Sequence, residues 1–128
     1  MGFTSPQAAM AFYGEVINEH RFDALLPMLS KDVVFWFSSG SHCGVDAARR
    51  AFEKTWRRIA DEFYWIEDLS WLCQGDGSAA CLYRFGWRGL VDGKLTQGGG
   101  RGTSVLRLEP DGWKVVHEHL SAEPVDAG

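Results

Sequence analysis

The main change in the spacing of apolar side chains along this chain occurs at about Asp61. Before that point apolar residues recur at the 3.6-residue period of helices, and after it at the two-residue period of strands. Ser5 and Pro6 predict a helix start, because Ser5 can cap the first turn and Pro6 suits the first helical position. The apolar face of this first helix consists of Ala9, Phe12, Tyr13, Val16 and Ile17.

Two more helices and one strand are predicted before Asp61. Residues 22–29 form a short second helix, which Pro27 bends or shortens. Residues 33–37 are β-branched and aromatic, which favours a strand, and residues 38–41 are predicted to form a loop. A third helix covers about 45–60. Its apolar stripe consists of Ala48, Ala51, Phe52, Thr55, Trp56 and Ile59.

The rest of the chain predicts four strands joined by tight turns. They cover residues 63–73, 79–91, 95–108 and 113–120, and Asp92-Gly93 is a strong hairpin signal between the second and the third. Short connections pair successive strands antiparallel, and the helices cover one face, so the fold class is α+β. Four glycines between positions 98 and 102 predict a bulge or bend that curves the sheet and leaves a hollow under the helices.

Composition narrows the class of protein. A length of 128 residues fits one domain over 1–128, with 123–128 as a frayed tail. Six tryptophans, eight phenylalanines and three tyrosines favour a cavity wall or an interface. A net charge of −4 without a basic footprint argues against nucleic acid. No apolar run approaches the roughly 20 residues that span a membrane.

The cysteines and the N-terminal pattern together predict a cytoplasmic protein. Cys43, Cys73 and Cys81 lack metal-ligand spacing and are interpreted as thiols in a reducing compartment. The N-terminal residues lack a basic segment followed by an apolar one, so no signal peptide is predicted.

The order of elements and the final hairpin resemble the nuclear transport factor 2-like superfamily, in particular its SnoaL-like branch, and also the association domain of calcium/calmodulin-dependent protein kinase II. The motif is Gly112-Trp113 in a turn, then His117-x-His119 and Ser121 on a strand. Val45-Asp46-Ala47-Ala48-Arg49 after Gly44 fits the start of the third family helix. The resemblance covers about 5–124.

What this resemblance implies is a cone of three helices on a strongly curved, mostly antiparallel sheet, with a pocket at the wide end. It also implies a homodimer formed through the outer face of the sheet. The superfamily includes ketosteroid isomerase, scytalone dehydratase, polyketide cyclases and non-catalytic binding modules, so the fold does not determine the function.

His117 and His119 are the main candidates for catalysis. They lie two residues apart on a predicted strand and therefore share a face, which Trp113 and Val115 also share. Because a face with Trp and Val points to the core, both imidazoles are predicted to face the hollow, as acid, base or hydrogen-bond donor. The alternative is two structural core histidines. A metal would need a third ligand, for which His42 is the only candidate, so no metal is expected.

Tyr13, Arg84 and Arg101 are further candidates. By the resemblance, Tyr13 matches the first-helix tyrosine that supplies the oxyanion donor of ketosteroid isomerase, although that enzyme's general-base aspartate maps to Phe35 or Trp36. The alternative is a helix residue that packs its ring on the sheet. Arg84 matches a pocket arginine of the kinase association domain and would bind a carboxylate or phenolate; the alternative is an arginine in an interface or ion pair. Arg101 could reach the pocket mouth or pair across the interface.

Three more residues complete the predicted ligand site. Trp36 and Trp56 lie on elements that border the pocket in the family and are predicted to form its walls, with ordinary core packing as the alternative. Ser104 lies on the strand before the histidines and could contact them. No third member of a nucleophilic triad is apparent.

Two functions of different classes remain open. One is a cofactor-free acid–base enzyme, an isomerase, cyclase or dehydratase of a cyclic or polyketide-like carbonyl compound. The other is a non-catalytic module that binds a small hydrophobic or anionic ligand or supports oligomerisation.

Overall fold

The computed structural model describes residues 2–124, which form helical elements on one face of a six-stranded sheet. The helices are α1 (Pro6–Val16) and α2 (Val45–Arg58), with 3₁₀ segments at Ile17–Glu19 and Phe22–Met28 between them. The strands are β1 (Leu29–Phe37), β2 (Gly40–Cys43), β3 (Ala60–Gln74), β4 (Ser78–Val91), β5 (Lys94–Glu109) and β6 (Gly112–Ala122).

The sheet order is β2-β1-β6-β5-β4-β3. Strands β3 to β6 pair antiparallel in sequence, as the short turns predict, and β1 pairs parallel with β6. The α+β class and the curved, mostly antiparallel sheet are therefore confirmed. Strand β2 was missed: residues 38–41, predicted as a loop, form a hairpin turn in which Phe37 pairs with Gly40.

The helices form where the capping and periodicity arguments place them. The Ser5 hydroxyl accepts a hydrogen bond from the Ala8 amide at 3.1 Å, and Pro6 opens α1. Pro27 restricts the second helix to 3₁₀ turns. Phe35 of β1 is fully buried against Phe52 of α2, which fixes that helix on the sheet.

The glycine-rich stretch of β5 contains no bulge, so that part of the prediction is wrong, whereas the predicted curvature of the sheet is confirmed. Strands β4 and β5 keep one register from Ser78 opposite Arg107 to Val91 opposite Lys94. The glycines instead leave room for aromatic rings from β4. A Cβ on Gly98 would meet the Trp87 indole at 2.7 Å.

A β-bulge occurs in β6. Val115 pairs with Leu106 and His117 pairs with Val105, so Val116 has no partner on β5. One extra residue reverses the alternation of faces beyond it. Val115 and Glu118, an odd number of positions apart, are consequently both buried.

Two other expectations concern membrane-spanning helices and the C-terminal tail. Within residues 2–124 neither α-helix is long and apolar enough to cross a membrane. Most of the predicted tail, residues 125–128, lies outside the described residues. Glu123, at its start, donates its backbone amide to the Gly99 carbonyl at 3.2 Å.

Candidate functional site

A cavity of about 310 Å³ lies between the two α-helices and the concave face of the sheet. Its walls are aromatic because α1, α2 and the inward positions of β3 and β4 all contribute rings. These rings belong to Tyr13, Phe37, Phe52, Trp56, Tyr64, Phe85 and Trp87. An apolar cavity with a few polar groups is the usual form of a small-molecule site.

Glu62 supplies a carboxyl group to this cavity. It lies at the start of β3, within a bulge between Ala60 and Phe63 in which Asp61 adopts a left-handed backbone. Burial raises the pKa of Glu62 to about 7. Among the described residues no side chain donates a hydrogen bond to this carboxyl. At neutral pH it therefore exists in both protonation states, which suits a general acid or base.

Tyr64, two residues further along β3, lines the same cavity. Its hydroxyl is buried and has no hydrogen-bond partner within residues 2–124. Burial, followed by the charge of Glu118, raises its pKa well above the usual tyrosine value, so the group stays protonated. An unsatisfied buried hydroxyl is costly, and a ligand oxygen would relieve that cost.

Behind the cavity wall, Glu118 is fully buried and accepts hydrogen bonds from two tyrosines. The Tyr13 and Tyr83 hydroxyls donate to its two carboxyl oxygens at 3.0 Å each. The Ser104 hydroxyl lies 2.8 Å from that of Tyr83 and 3.5 Å from the carboxyl.

The ionisation of Glu118 follows from these contacts. Desolvation raises its pKa to about 7, although the three hydroxyls favour the charged form. Burial and the Glu118 charge raise the pKa of Tyr13 and Tyr83 in turn. Because Tyr13 also lines the cavity, it connects this buried carboxyl with the ligand space.

The predicted inward orientation of His117 and His119 is wrong. The bulge at Val116 turns both side chains to the outer face of the sheet, where they pack on Trp36 with ring centroids 5.1 and 5.5 Å apart. Trp36 is 48% exposed and contributes no wall to the cavity. His117 Nδ1 lies 2.7 Å from the Val34 carbonyl, so it donates there.

The two predicted pocket arginines also lie outside. Arg84 and Arg101 are opposite each other on the outer face, because the inward positions of β4 carry Tyr83 and Phe85. Arg84 forms an ion pair with Glu123 instead of facing the ligand space. The arginine that does line the cavity is Arg58, in the last turn of α2.

Of the remaining candidates, the structure places Tyr13 and Trp56 on the cavity wall. It places Ser104 in the core opposite Glu118, not beside a histidine. Sequence reasoning missed Glu62, Tyr64 and Glu118. A signal for Glu118 existed in Val115-Val116, two adjacent apolar residues that interrupt strict alternation in β6.

Within residues 2–124, no cluster of three or more His, Cys, Asp or Glu side chains is arranged to hold a metal ion. Among the described residues, the polar side chains at the cavity carry hydroxyl and carboxyl groups and one guanidinium, that of Arg58. Such a set can bind a small organic molecule and transfer a proton to or from it.

Comparisons with known proteins identify the fold. The chain is similar to a nuclear transport factor 2-like superfamily protein of Salmonella enterica (TM-score 0.83, 17% identity, covering 94% of this chain and 89% of that one). It is similar to a putative aromatic ring hydroxylase of Novosphingobium aromaticivorans (TM-score 0.82, 18% identity, covering 93% and 87%). It is also similar to a putative calcium/calmodulin-dependent protein kinase II association domain of Xanthomonas campestris (TM-score 0.80, 16% identity, covering 94% and 86%).

No curated protein matches the chain. The model of one protein family, the SnoaL-like domain, matches residues 7–126. This match includes the bulged final strand and every wall of the cavity. The chain therefore belongs to the SnoaL-like domain family.

Proposed function

We propose that this protein is a cofactor-free acid–base enzyme that moves a proton on a flat cyclic carbonyl compound bound in the aromatic cavity. The observation that supports it is the pairing of Glu62 and Tyr64: a carboxyl whose pKa is about 7 and an unsatisfied hydroxyl, both on the wall of one cavity. Isomerisation, cyclisation and dehydration of such compounds all begin with this proton transfer.

The two groups have complementary roles. The Glu62 carboxylate takes a proton from the carbon next to the carbonyl, and the Tyr64 hydroxyl donates a hydrogen bond to the carbonyl oxygen as negative charge develops there. Tyr13, held by Glu118, lies on the same wall and is the second hydroxyl near that oxygen. His117 and His119 have no part in this mechanism, since they lie on the outer face.

Exchange of the α-protons of 2-tetralone in D₂O, followed by NMR, tests the proton transfer without knowledge of the natural substrate. The wild type accelerates the exchange, and the rate rises as pH passes through about 7, because only ionised Glu62 is the base. Glu62→Gln lowers the rate by about 10²- to 10⁴-fold, the usual contribution of a general base. The matched control is Glu67→Gln, which changes an exposed glutamate on the same strand and leaves the rate unaltered.

Tyr64→Phe separates function from stability. It removes a buried hydroxyl that has no partner in the described protein, so we expect the free energy of unfolding to rise by about 1 kcal/mol while the exchange slows. If the wild type exchanges the α-protons of 2-tetralone and related flat ketones no faster than Glu62→Gln does, the proposed enzymatic activity is refuted. Retained binding of the same ketones, seen as a change in tryptophan fluorescence, would then favour the non-catalytic binding module.

The ligand that this cavity suits is aromatic or alicyclic and carries an anionic substituent. Phe52, Trp56 and Trp87 supply ring faces, and Arg58 supplies positive charge at the rim. A carboxylate or phenolate of the ligand can therefore pair with Arg58 while its carbonyl lies deeper, near Tyr64.

A homodimer through the outer face of the sheet is part of the proposal. Trp36, His119, Thr103 and Leu82 lie in one row across four strands, and Trp36 and Leu82 are 48% and 41% exposed. Large apolar side chains that exposed commonly mark an interaction surface. A cytoplasmic location is supported by three free cysteines, which suit a reducing compartment.

A further inference from the structure

Strand β3 is the last strand of the sheet, so one of its sides has no neighbouring strand. Backbone groups on such an edge need other partners. At the cavity end of β3, side chains of the segment that follows α1 supply them. The Asn18 side-chain NH₂ donates to the Tyr64 backbone carbonyl at 2.9 Å, and the Asn18 side-chain oxygen accepts from the Tyr64 backbone N–H at 2.8 Å. His20 Nε2 lies 2.9 Å from the Glu62 carbonyl.

These contacts fall on the two residues that carry the proposed chemistry. Glu62 and Tyr64 are two positions apart, so their backbone groups point to the same free edge and their side chains line the same cavity. Asn18 pairs with Tyr64 through both its donor and its acceptor, as a neighbouring strand would. The bulge between Ala60 and Phe63 leaves Glu62 without a partner on β4, which makes its contact at the free edge more important.

His20 also supports a third wall of the cavity. Its ring stacks on the Trp56 indole of α2 with centroids 5.3 Å apart and planes within 15°. Because a carbonyl only accepts hydrogen bonds, His20 Nε2 carries a hydrogen atom and donates a hydrogen bond to the backbone carbonyl of Glu62. His20 adopts a left-handed backbone with φ of 55°, which lets one side chain reach both β3 and α2.

We propose that Asn18 and His20 are positioning residues of the cavity, which hold the free edge of β3 so that the Glu62 carboxyl stays shielded from water and aligned with the Tyr64 hydroxyl. This inference rests on the proposed function for its purpose, but its geometry is independent of it. Charged or titratable groups approach Glu62 from the elements packed around it. Among the described residues, those lining the cavity beside Glu62 are Tyr13 of α1, Arg58 of α2 and Tyr64 of β3, while His20 of the connecting segment contacts the Glu62 backbone carbonyl without lining the cavity.

The test measures the pKa of the Glu62 carboxyl by ¹³C NMR in labelled protein without ligand, with Glu62→Gln to assign the signal. Asn18→Ala removes both contacts to Tyr64, and His20→Phe keeps an aromatic ring on Trp56 but removes the donor. We expect each variant to admit water to the carboxyl and to lower its pKa from about 7 by about one pH unit or more. His20→Gln keeps a donor and should restore most of the wild-type value.

The control is Gln7→Ala. Gln7 on α1 donates to the Gln74 side chain at 2.6 Å, so this variant removes another contact between the first helix and β3, at the far end of the strand. We expect a small loss of stability and an unchanged Glu62 pKa.

An unchanged Glu62 pKa in both Asn18→Ala and His20→Phe, with lower thermal stability, would show that the two residues only support the fold and would overturn the inference. If Asn18→Ala does not fold, the two His20 variants still test the inference, because an unchanged Glu62 pKa in His20→Phe would overturn it. Failure of the proposed enzyme is a separate result, since it appears as ketone exchange that does not depend on Glu62, whereas the NMR titration needs no substrate.

Discussion

Replacement of Glu118 by Gln should make the stability of this protein less sensitive to pH. Glu118 is fully buried, and within residues 2–124 its carboxyl has only hydroxyl groups as hydrogen-bond partners, those of Tyr13, Tyr83 and Ser104. A glutamine side chain has nearly the same shape and can bond with the same hydroxyls, but it does not ionise. The variant therefore removes the titration and retains the packing.

The magnitude follows from the pKa in the folded and unfolded chain. Desolvation raises the pKa of Glu118 from an ordinary 4.5 to about 7. The folded protein thus holds this proton more tightly than the unfolded chain, and the resulting stabilisation is fully present below about pH 4.5 and lost as the pH rises through about 7. At about 1.4 kcal/mol for each pH unit, the loss amounts to about 3 kcal/mol.

The assay is urea unfolding followed by tryptophan fluorescence, at several pH values between about 4.5 and 8.5 and at one protein concentration. The free energy of unfolding of Glu118→Gln, relative to the wild type, should rise by about 3 kcal/mol across this range, most of it between 4.5 and 7. Glu62, which titrates in the same range, is present in both proteins and cancels in the difference. Glu67→Gln, with an exposed side chain, should follow the wild type at every pH.

A difference between Glu118→Gln and the wild type that is the same at every pH would refute the reasoning. It would mean that the hydrogen bonds from Tyr13 and Tyr83 outweigh desolvation, and that Glu118 stays ionised in the core. The pKa of Tyr13 would then be determined by a permanent buried charge.

The remaining predictions concern the ligand and the outer face. Arg58→Ala should weaken the binding of 2-naphthoate by about tenfold, measured by fluorescence titration, and leave the binding of its methyl ester unchanged. Arg57→Ala, which changes a neighbouring arginine outside the cavity wall, should affect the binding of neither ligand. An equal loss of affinity for both ligands in Arg58→Ala would contradict an anion site. Trp36→Ser should convert a dimer to monomer in sedimentation velocity, and Leu95→Ser, at an 81% exposed hairpin position, should not; a wild type that sediments as a monomer would contradict the interface.

Local patterns in the sequence were sufficient for most of the secondary structure. Ser5-Pro6 and Asp92-Gly93 act within a few residues, so the start of α1 and the β4–β5 hairpin could be predicted from them alone. The short turns then determined the antiparallel order of β3 to β6. The first strand is different, because its parallel pairing with β6 depends on contacts between distant parts of the chain.

The orientation of side chains on β6 could not be predicted from alternation. A bulge depends on how two strands pair, and the sequence shows only one strand at a time. Because Val116 has no partner on β5, the alternation of faces reverses there, and His117 lies on the opposite face of the sheet from Val115. As a result, His117 and His119 lie on the outer face instead of the predicted inner face, and Glu118 lies in the core.

The sequence by itself determined the class of fold, because helix periods and turn residues are local properties. Its aromatic content favoured a hollow under the helices, and its resemblance to the SnoaL-like branch indicated the family. Only the tertiary structure decided which polar groups face that hollow. Glu62 lies in a bulge of β3, the Asn18 and His20 side chains from another segment contact the backbone of Tyr64 and Glu62, and Glu118 owes its raised pKa to complete burial. Register and desolvation arise only when distant segments pack together, and they determined the chemistry of this site.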